Sequence, residues 1–408
     1  MAEPTIPADL AGALARWRAD TPGIAHRNHL NNAGAALMPT AVHQVILEHL
    51  QLEMETGGYE AADGRSEAIA DGYGHLGRLV GAAPGNIAVT ANATDAFARA
   101  ISSFDFVRRD VIVTTRCDYT SNQLVYLALH QRLGLEIVHA PDLPEGGVDP
   151  DGVRHAILEA GGRCRLVAAT WIPTNSGLVQ DVAAVGQVCR ELEVPYLVDA
   201  CQAVGQIPID VEQLQCDYLS ATARKFLRGP RGVGFLYVSD RALARGDYPL
   251  LVDMRGANWV AEDQFALVES AQRFEDWEFP YALVLGQGEA ARYALEVGIE
   301  TASARAWQLA ARLRERCGQL DGVRVLDRGA TRCAIVTISP DMGTAQDLVA
   351  FLKAQQINCV ASLREYGRYD FGEKGVDGAV RLSPHYYNTE AEVDAAALAV
   401  AEFVCSRR

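Results

Sequence analysis

Between residues 80 and 240, short apolar runs alternate with stretches whose apolar positions recur every three or four residues. The runs predict strands at 87–90, 111–115, 136–139, 166–171, 196–198, 218–220 and 234–238. The periodic stretches predict amphipathic helices at 93–104, 121–133 and 182–192. Strands that alternate with helices in this way build a mostly parallel sheet covered on both faces. Beyond residue 280 the texture changes. Long helices are expected at 285–297 and 303–320, strands at 323–326 and 334–339, a helix at 345–355, a strand at 359–362 and a last helix from Glu390. That pattern is a smaller α+β unit. The expected fold is therefore α/β, with a large domain over 36–285 and a small domain from 1–35 and 286–408. The break falls close to Gly286, and the first 35 residues are free to pack onto either part.

Composition narrows the class of partner. The chain carries 52 acidic against 37 basic side chains, a net charge of −15. Nucleic acid and anionic membranes both select basic faces, so neither is an expected partner. No stretch has the length of a membrane span. The opening MAEPTIPADLAGALARWRAD lacks the basic start and apolar run of a signal peptide. The nine cysteines are odd in number and form no CxxC pair. Reduced thiols in the cytosol fit that usage better than a disulfide framework, and no metal site is expected.

Three segments carry chemistry. In YLVDACQAVG a strand delivers Asp199 to its carboxyl end, with Gln202 three residues on. A carboxylate there either caps the next helix or meets a positive partner, such as a protonated pyridine nitrogen. In YLSATARKFLRGPRGVGFLYV a polar loop between two strands presents Thr222, Arg224 and Lys225. Thr222 and Arg224 are donors suited to a phosphate, and an amine beside a guanidinium titrates low, which favours imine chemistry. A plain surface basic cluster is the alternative. In VTANATDAFARAI, Ala93 and Thr94 open a helix after a strand. The free N–H groups of a helix start bind phosphate, although Thr94 serves equally as an N-cap.

Together these segments resemble the class V aminotransferase family of fold type I pyridoxal-phosphate enzymes. The likeness runs from HLNNAGAALMP at residue 29 to VRLSPHYYNTEAEVD at residue 380. The resemblance implies that Lys225 carries pyridoxal phosphate as a Schiff base. Asp199 would pair with the ring nitrogen and Gln202 would reach the ring's phenolic oxygen. Ala93, Thr94, Thr222 and Arg224 would hold the phosphate. The family usually has Ser and His where this chain has Thr222 and Arg224, and both replacements still donate hydrogen bonds. Tyr119 would stack on the ring, and Thr174 or Asn175 would lie beside it. Arg381 would grip a substrate carboxylate, with Asn32 a weaker candidate on the substrate side. For Tyr119 a rim tyrosine and for Arg381 a structural salt bridge are the alternatives. Arg255, Asn258, Trp259 and Arg273 would sit at a homodimer interface that completes the neighbouring site.

The same resemblance bears on the reaction. A cysteine desulfurase needs a mobile loop cysteine, and the corresponding stretch LREYGRYDFG has none. Cys359 nearby lies in an apolar strand pattern and reads as a small buried residue. The pattern is closest to the branch containing C–S lyases of ergothioneine and lincosamide synthesis, and ETGGYEAADG with Tyr59 is similar to the ergothioneine type. The expected activity is β-elimination from a cysteine S-conjugate, or its sulfoxide, giving a thiol-type product, pyruvate and ammonia. Aminotransferase, epimerase, decarboxylating deaminase and desulfurase readings stand as alternatives, as does a scaffold that has lost catalysis.

Overall fold

A computed structural model describes residues 9–407. Its centre is a seven-stranded sheet of β1 (Ile87–Thr90), β2 (Val111–Thr114), β3 (Glu136–His139), β4 (Cys164–Thr170), β5 (Tyr196–Asp199), β6 (Tyr218–Thr222) and β7 (Gly234–Val238). The spatial order is β1-β7-β6-β5-β4-β2-β3. Only β7 runs antiparallel to its neighbours. The other pairings are parallel.

Successive side chains of a strand face opposite sides. One face of the sheet buries Val113, Val167 and Val198. The other buries Ile112, Leu166 and Leu197 under the helix Ala93–Ile101, through Phe97. Both faces are apolar, which is why these strands read as unbroken hydrophobic runs rather than alternating ones.

A second sheet contains β8 (Val323–Val325), β9 (Val336–Pro340), β10 (Val360–Leu363) and β11 (Gly378–Leu382), all antiparallel, in the order β8-β9-β11-β10. Its inner face, including Val336 and Leu382, joins the same buried cluster as Val198. Gly286, where the sequence places a break, lies inside the continuous helix Tyr281–Val297. A Cβ there would meet Ile46 and Pro230, so the position is a close packing point.

Residues 28–36 stitch the two sheets together. Asn28–His29 pairs in parallel with Ile357–Asn358, and Asn31 bridges Ser383. The Ala36 N–H then donates to the Arg224 carbonyl at 2.9 Å. Residues 1–8 of the expected 1–35 segment lie outside the described residues. Among the described residues, no helix is long and apolar enough to cross a membrane.

Candidate active site

Parallel strands carry the residues that follow them to one edge of the sheet, which is where ligands bind in such folds. Here β5 ends on Asp199, β6 on Thr222, and β1 and β2 lead into Ala93–Thr94 and Tyr119. These residues, with Arg224 and Lys225, line one cavity of ≈ 270 Å³. Asn122, Cys201, Arg231 and Gly232 line it too and were not anticipated.

Lys225 is buried, and its Nζ has no hydrogen-bond or ion-pair partner among the described residues. Burial lowers its pKa, with further lowering from the positive charges of Arg224 and Arg381 against opposing pulls from Cys201 and Asp199. The amine lies 5.7 Å from the centroid of the Tyr119 ring. Asp199 is held on two sides. Its Oδ1 accepts from the Cys201 N–H at 2.9 Å and its Oδ2 from Asn122 Nδ2 at 3.0 Å. It caps no helix by its side chain, so the capping alternative does not hold.

At the opposite end of the cavity the helix Ala93–Ile101 begins. Its N-cap is Asn92, whose side chain takes the Asp95 N–H at 3.0 Å. Thr94 is therefore not the cap. The N–H groups of Ala93 and Thr94 belong to the first turn, which has no intrahelical acceptors for them. Arg224 and Arg231 flank this end without a carboxylate partner among the described residues. Burial lowers the Arg224 pKa, and the Arg231 charge lowers it further. Two unneutralised guanidinium groups beside a helix N-terminus suit a dianion.

Three expected residues, Arg381, Thr174 and Gln202, stand outside this cavity lining and form a second cluster beside it with Asn31. Arg381 Nη1 donates to the Thr174 carbonyl at 2.9 Å and its hydroxyl at 2.6 Å. Its Nη2 donates to Asn31 Oδ1 at 3.3 Å. Its Nε is buried without a partner, and no carboxylate pairs with it among the described residues. The salt-bridge alternative is thereby removed. Gln202 Nε2 donates to the Ala33 carbonyl at 3.0 Å and to Thr174 Oγ1 at 3.1 Å. Both amide hydrogens are thus committed, and reaching a phenolic oxygen would require release from Thr174.

Two expectations need correction. Asn32 spends its amide inside the scaffold: Nδ2 donates to the Ser383 and His29 carbonyls, and Oδ1 accepts from Tyr387 at 2.5 Å. Its neighbour Asn31 is the one that meets Arg381. Arg273, expected at an interface, is buried and donates to the carbonyls of Val268, Leu243, Asp247 and Glu269. It clamps its own chain. Asn175 turns away to Asp370 at 3.3 Å. Arg255 sits 4.0 Å over the Phe279 ring, while Asn258 and Trp259 lie on an exposed hairpin strand, Ala257–Ala261. Tyr59 is 69% exposed on the helix Gly58–Gly64.

Comparison with known proteins agrees with this geometry. The family described as Aminotransferase class-V matches residues 28–396. The chain belongs to the class V aminotransferase family. It is an enzyme whose cofactor is pyridoxal phosphate. A probable cysteine desulfurase of Methanothermobacter thermautotrophicus is 25% identical, over 92% of this chain and 94% of that one. A probable hercynylcysteine sulfoxide lyase of Mycobacterium tuberculosis is 28% identical, over 94% and 92%. The apo structure of a cysteine desulfurase from Thermococcus onnurineus has the same fold, with a TM-score of 0.87 over 100% of both chains at 23% identity. The cavity fits the cofactor of this family: guanidinium groups without an anionic partner for its phosphate, an amine without a hydrogen-bond partner among the described residues, and the Asp199 carboxylate.

Proposed function

We propose that this class V enzyme cleaves the C–S bond of a cysteine S-conjugate, or of its sulfoxide, by β-elimination. The observation that carries the reading is a buried amine and a buried, carboxylate-free guanidinium that feel one another's charge, with the cavity's thiol, Cys201, buried and its pKa pushed up to about 12. Bound in the cavity, pyridoxal phosphate supplies an electron sink for negative charge developing at the substrate α-carbon.

The rest is work for the chain's own residues. Lys225 forms the covalent link, and Asp199 holds a proton on the ring nitrogen. The N–H groups of Ala93 and Thr94, the Thr222 hydroxyl and Arg224 hold the phosphate, joined by Arg231. Arg381 has Nη1 tied to Thr174, leaving its Nε–Nη2 edge for a substrate carboxylate through two parallel bonds. The substrate amine would displace Lys225 Nζ from the covalent link, and desolvation keeps the released amine readily neutral, so that it can take the α-proton as general base. The Cβ–S bond breaks with its electron pair leaving on sulfur, which departs as a thiol from a thioether or as a sulfenic acid from a sulfoxide once it gains a proton. Water hydrolyses the enamine product to pyruvate and ammonia.

The thiol inventory favours elimination over sulfur capture. Cys201 is the cysteine among the cavity-lining residues, and burial beside Asp199 pushes its thiol up to about 12. Cys359 is buried and also pushed to about 12 by desolvation. The stretch after β10 is not an open loop but a short turn and the helix Arg368–Lys374. It is pinned to the large sheet's loops by Thr120 to the Tyr366 carbonyl at 2.9 Å and by Asn175 to Asp370, with Arg116 paired to Glu373. The relatives named as desulfurases keep desulfuration of free cysteine as the second reading.

Incubation with cysteine S-conjugates separates the readings. Elimination gives pyruvate and ammonia in equal amounts. Alanine from free cysteine, with sulfur left on the protein, would establish the desulfurase instead. Exchange between amino and keto acids without pyruvate would establish an aminotransferase.

We also propose a homodimer. Leu250, Leu251, Met254 and Trp259 are exposed together near the hairpin, Leu251 at 82% and Trp259 at 81%. Large apolar side chains clustered at the surface mark an interaction face, and a second copy is the commonest occupant.

A further inference from the structure

Behind Asp199 lies a buried network that the proposed chemistry leaves unused. Asn122 Nδ2 bridges two carboxylates, donating to Asp199 Oδ2 and to Asp118 Oδ1, each at 3.0 Å. Asp118 Oδ1 also accepts from the Thr170 hydroxyl and from the Tyr119 N–H at 2.6 Å. Its Oδ2 accepts from Thr114 Oγ1 at 3.0 Å and Gln123 Nε2 at 3.4 Å. Every one of these partners is uncharged. Asp118, Asn122, Thr114 and Thr170 are all buried.

We propose that Asp118 and Asn122 are positioning residues that tune Asp199, and through it the proton held on the cofactor's ring nitrogen. The inference rests on Asp199 facing that nitrogen and not on which substrate bond is cleaved. Three facts support it. Asp118 immediately precedes Tyr119, the N-cap of the helix Thr120–Leu133, and Asn122 lies in that helix's first turn, so the helix start brings the two side chains together. Asp118 thereby holds the backbone of Tyr119 directly and the side chain of Asp199 through Asn122. Five donors on a single aspartate exceed what a helix start requires.

Electrostatics gives the arrangement a direction. Burial raises the Asp118 pKa, and the charge of Asp199 raises it further, against hydrogen bonds that favour the anion. Two carboxylates joined by one amide leave negative charge that no cation in contact neutralises. A proton on the ring nitrogen supplies the missing positive charge on the open side of Asp199. The other titratable groups facing the pair are Lys225, the Cys201 thiol and the Tyr126 hydroxyl. Asp118→Asn keeps the shape of the network and removes its second charge. Asn122→Ala removes the donor that steadies anionic Asp199, so the shared proton shifts toward the carboxylate. Both changes lower protonation of the nitrogen.

The test uses holoenzyme loaded with pyridoxal phosphate carrying ¹⁵N in the ring, read by ¹⁵N NMR, with thermal melts as the folding control. In Asp118→Asn and in Asn122→Ala the resonance is expected to move from the protonated toward the unprotonated position. The size expected is about a tenfold loss of proton affinity, or about one pKa unit. Asp118→Glu, which keeps the charge, is expected to restore the native position. If one variant fails to fold, the other carries the test. An unchanged protonated resonance in a folded variant of either kind overturns the proposal and leaves Asp118 a structural residue at a helix start.

Discussion

Burying a guanidinium without a carboxylate costs several kcal/mol. Arg273 offsets that cost with backbone carbonyls, whereas Arg381 keeps a buried Nε with no acceptor, which a ligand carboxylate would supply. Replacing Arg381 therefore separates binding from folding. Arg381→Lys keeps the charge and loses the planar fork. The expected result is a drop in kcat/KM of about 10- to 100-fold, matching a loss of about 1.5–3 kcal/mol for a charged hydrogen bond, carried mainly by KM. Steady-state kinetics with the cleaved substrate checks it, and an unchanged KM would remove Arg381 from the carboxylate site. Glu275 gives a stability prediction at the same scale. Burial pushes its pKa up to about 7, and its Oε1 accepts from the Val89 N–H and the Tyr73 hydroxyl, each at 2.7 Å. The folded state holds this proton more tightly than the unfolded chain does. Its contribution is therefore fully present below the ordinary glutamate pKa and is lost as pH rises through about 7. Glu275→Gln should flatten the fall of Tm over that window, as thermal melts across pH would show. The placement of Asp199, Thr222, Arg224 and Lys225 was legible because Asp199 and Thr222 close apolar strands and Arg224 and Lys225 follow in a short polar segment. Asn31, Asn122 and Arg231 were not, since each looks like an ordinary polar residue until long-range contacts select it.

The elements that place these residues tolerate little change in shape. Gly205 has φ +81°, and a Cβ there would lie 2.5 Å from the Phe226 carbonyl carbon, one residue beyond Lys225. Gly205→Ala combines left-handed backbone strain with a clash against the lysine loop. The expected cost is about 2–4 kcal/mol, visible as a lowered denaturation midpoint together with weaker cofactor retention. Unaltered stability would show that the loop can move aside. The seven large-sheet strands were readable because each is buried on both faces. Ends slipped by one to three residues where chain entry and exit are polar: β4 starts at Cys164, before its apolar run, and the helix predicted to 104 stops at Ile101. The helix Ser66–Val80 went unassigned, although Ile69, Tyr73, Leu76 and Val80 recur at helical spacing. The hairpin of Ala257–Ala261 and Gln264–Leu267 left no burial signal, because most of its side chains are exposed.

At the scale of the molecule, the exposed apolar face around Leu250, Leu251 and Trp259 calls for a partner. Trp259→Glu places a charge at its centre and should convert a dimer to monomers in sedimentation analysis, with the isolated fold intact by circular dichroism. A monomeric parent protein would refute the dimer. The family resemblance pointed to Asn258 and Trp259 here, but Leu250, Leu251 and Met254 went unmarked, since exposure is a property of the assembled surface. The two sheets share one buried core, so the cavity and the Arg381 cluster are held in fixed register beside each other. All of this turns on a single amine. The chain has three lysines, Lys225, Lys353 and Lys374. Lys353 is exposed on the helix Ala345–Ala354, and Lys374 is paired with Asp370 at 2.7 Å. Borohydride reduction of the holoenzyme followed by peptide mass mapping reads the attachment point directly. The account predicts one phosphopyridoxyl group per chain, on the peptide containing Lys225. A label on Lys353 or Lys374, or no label in protein that shows bound cofactor, would contradict it.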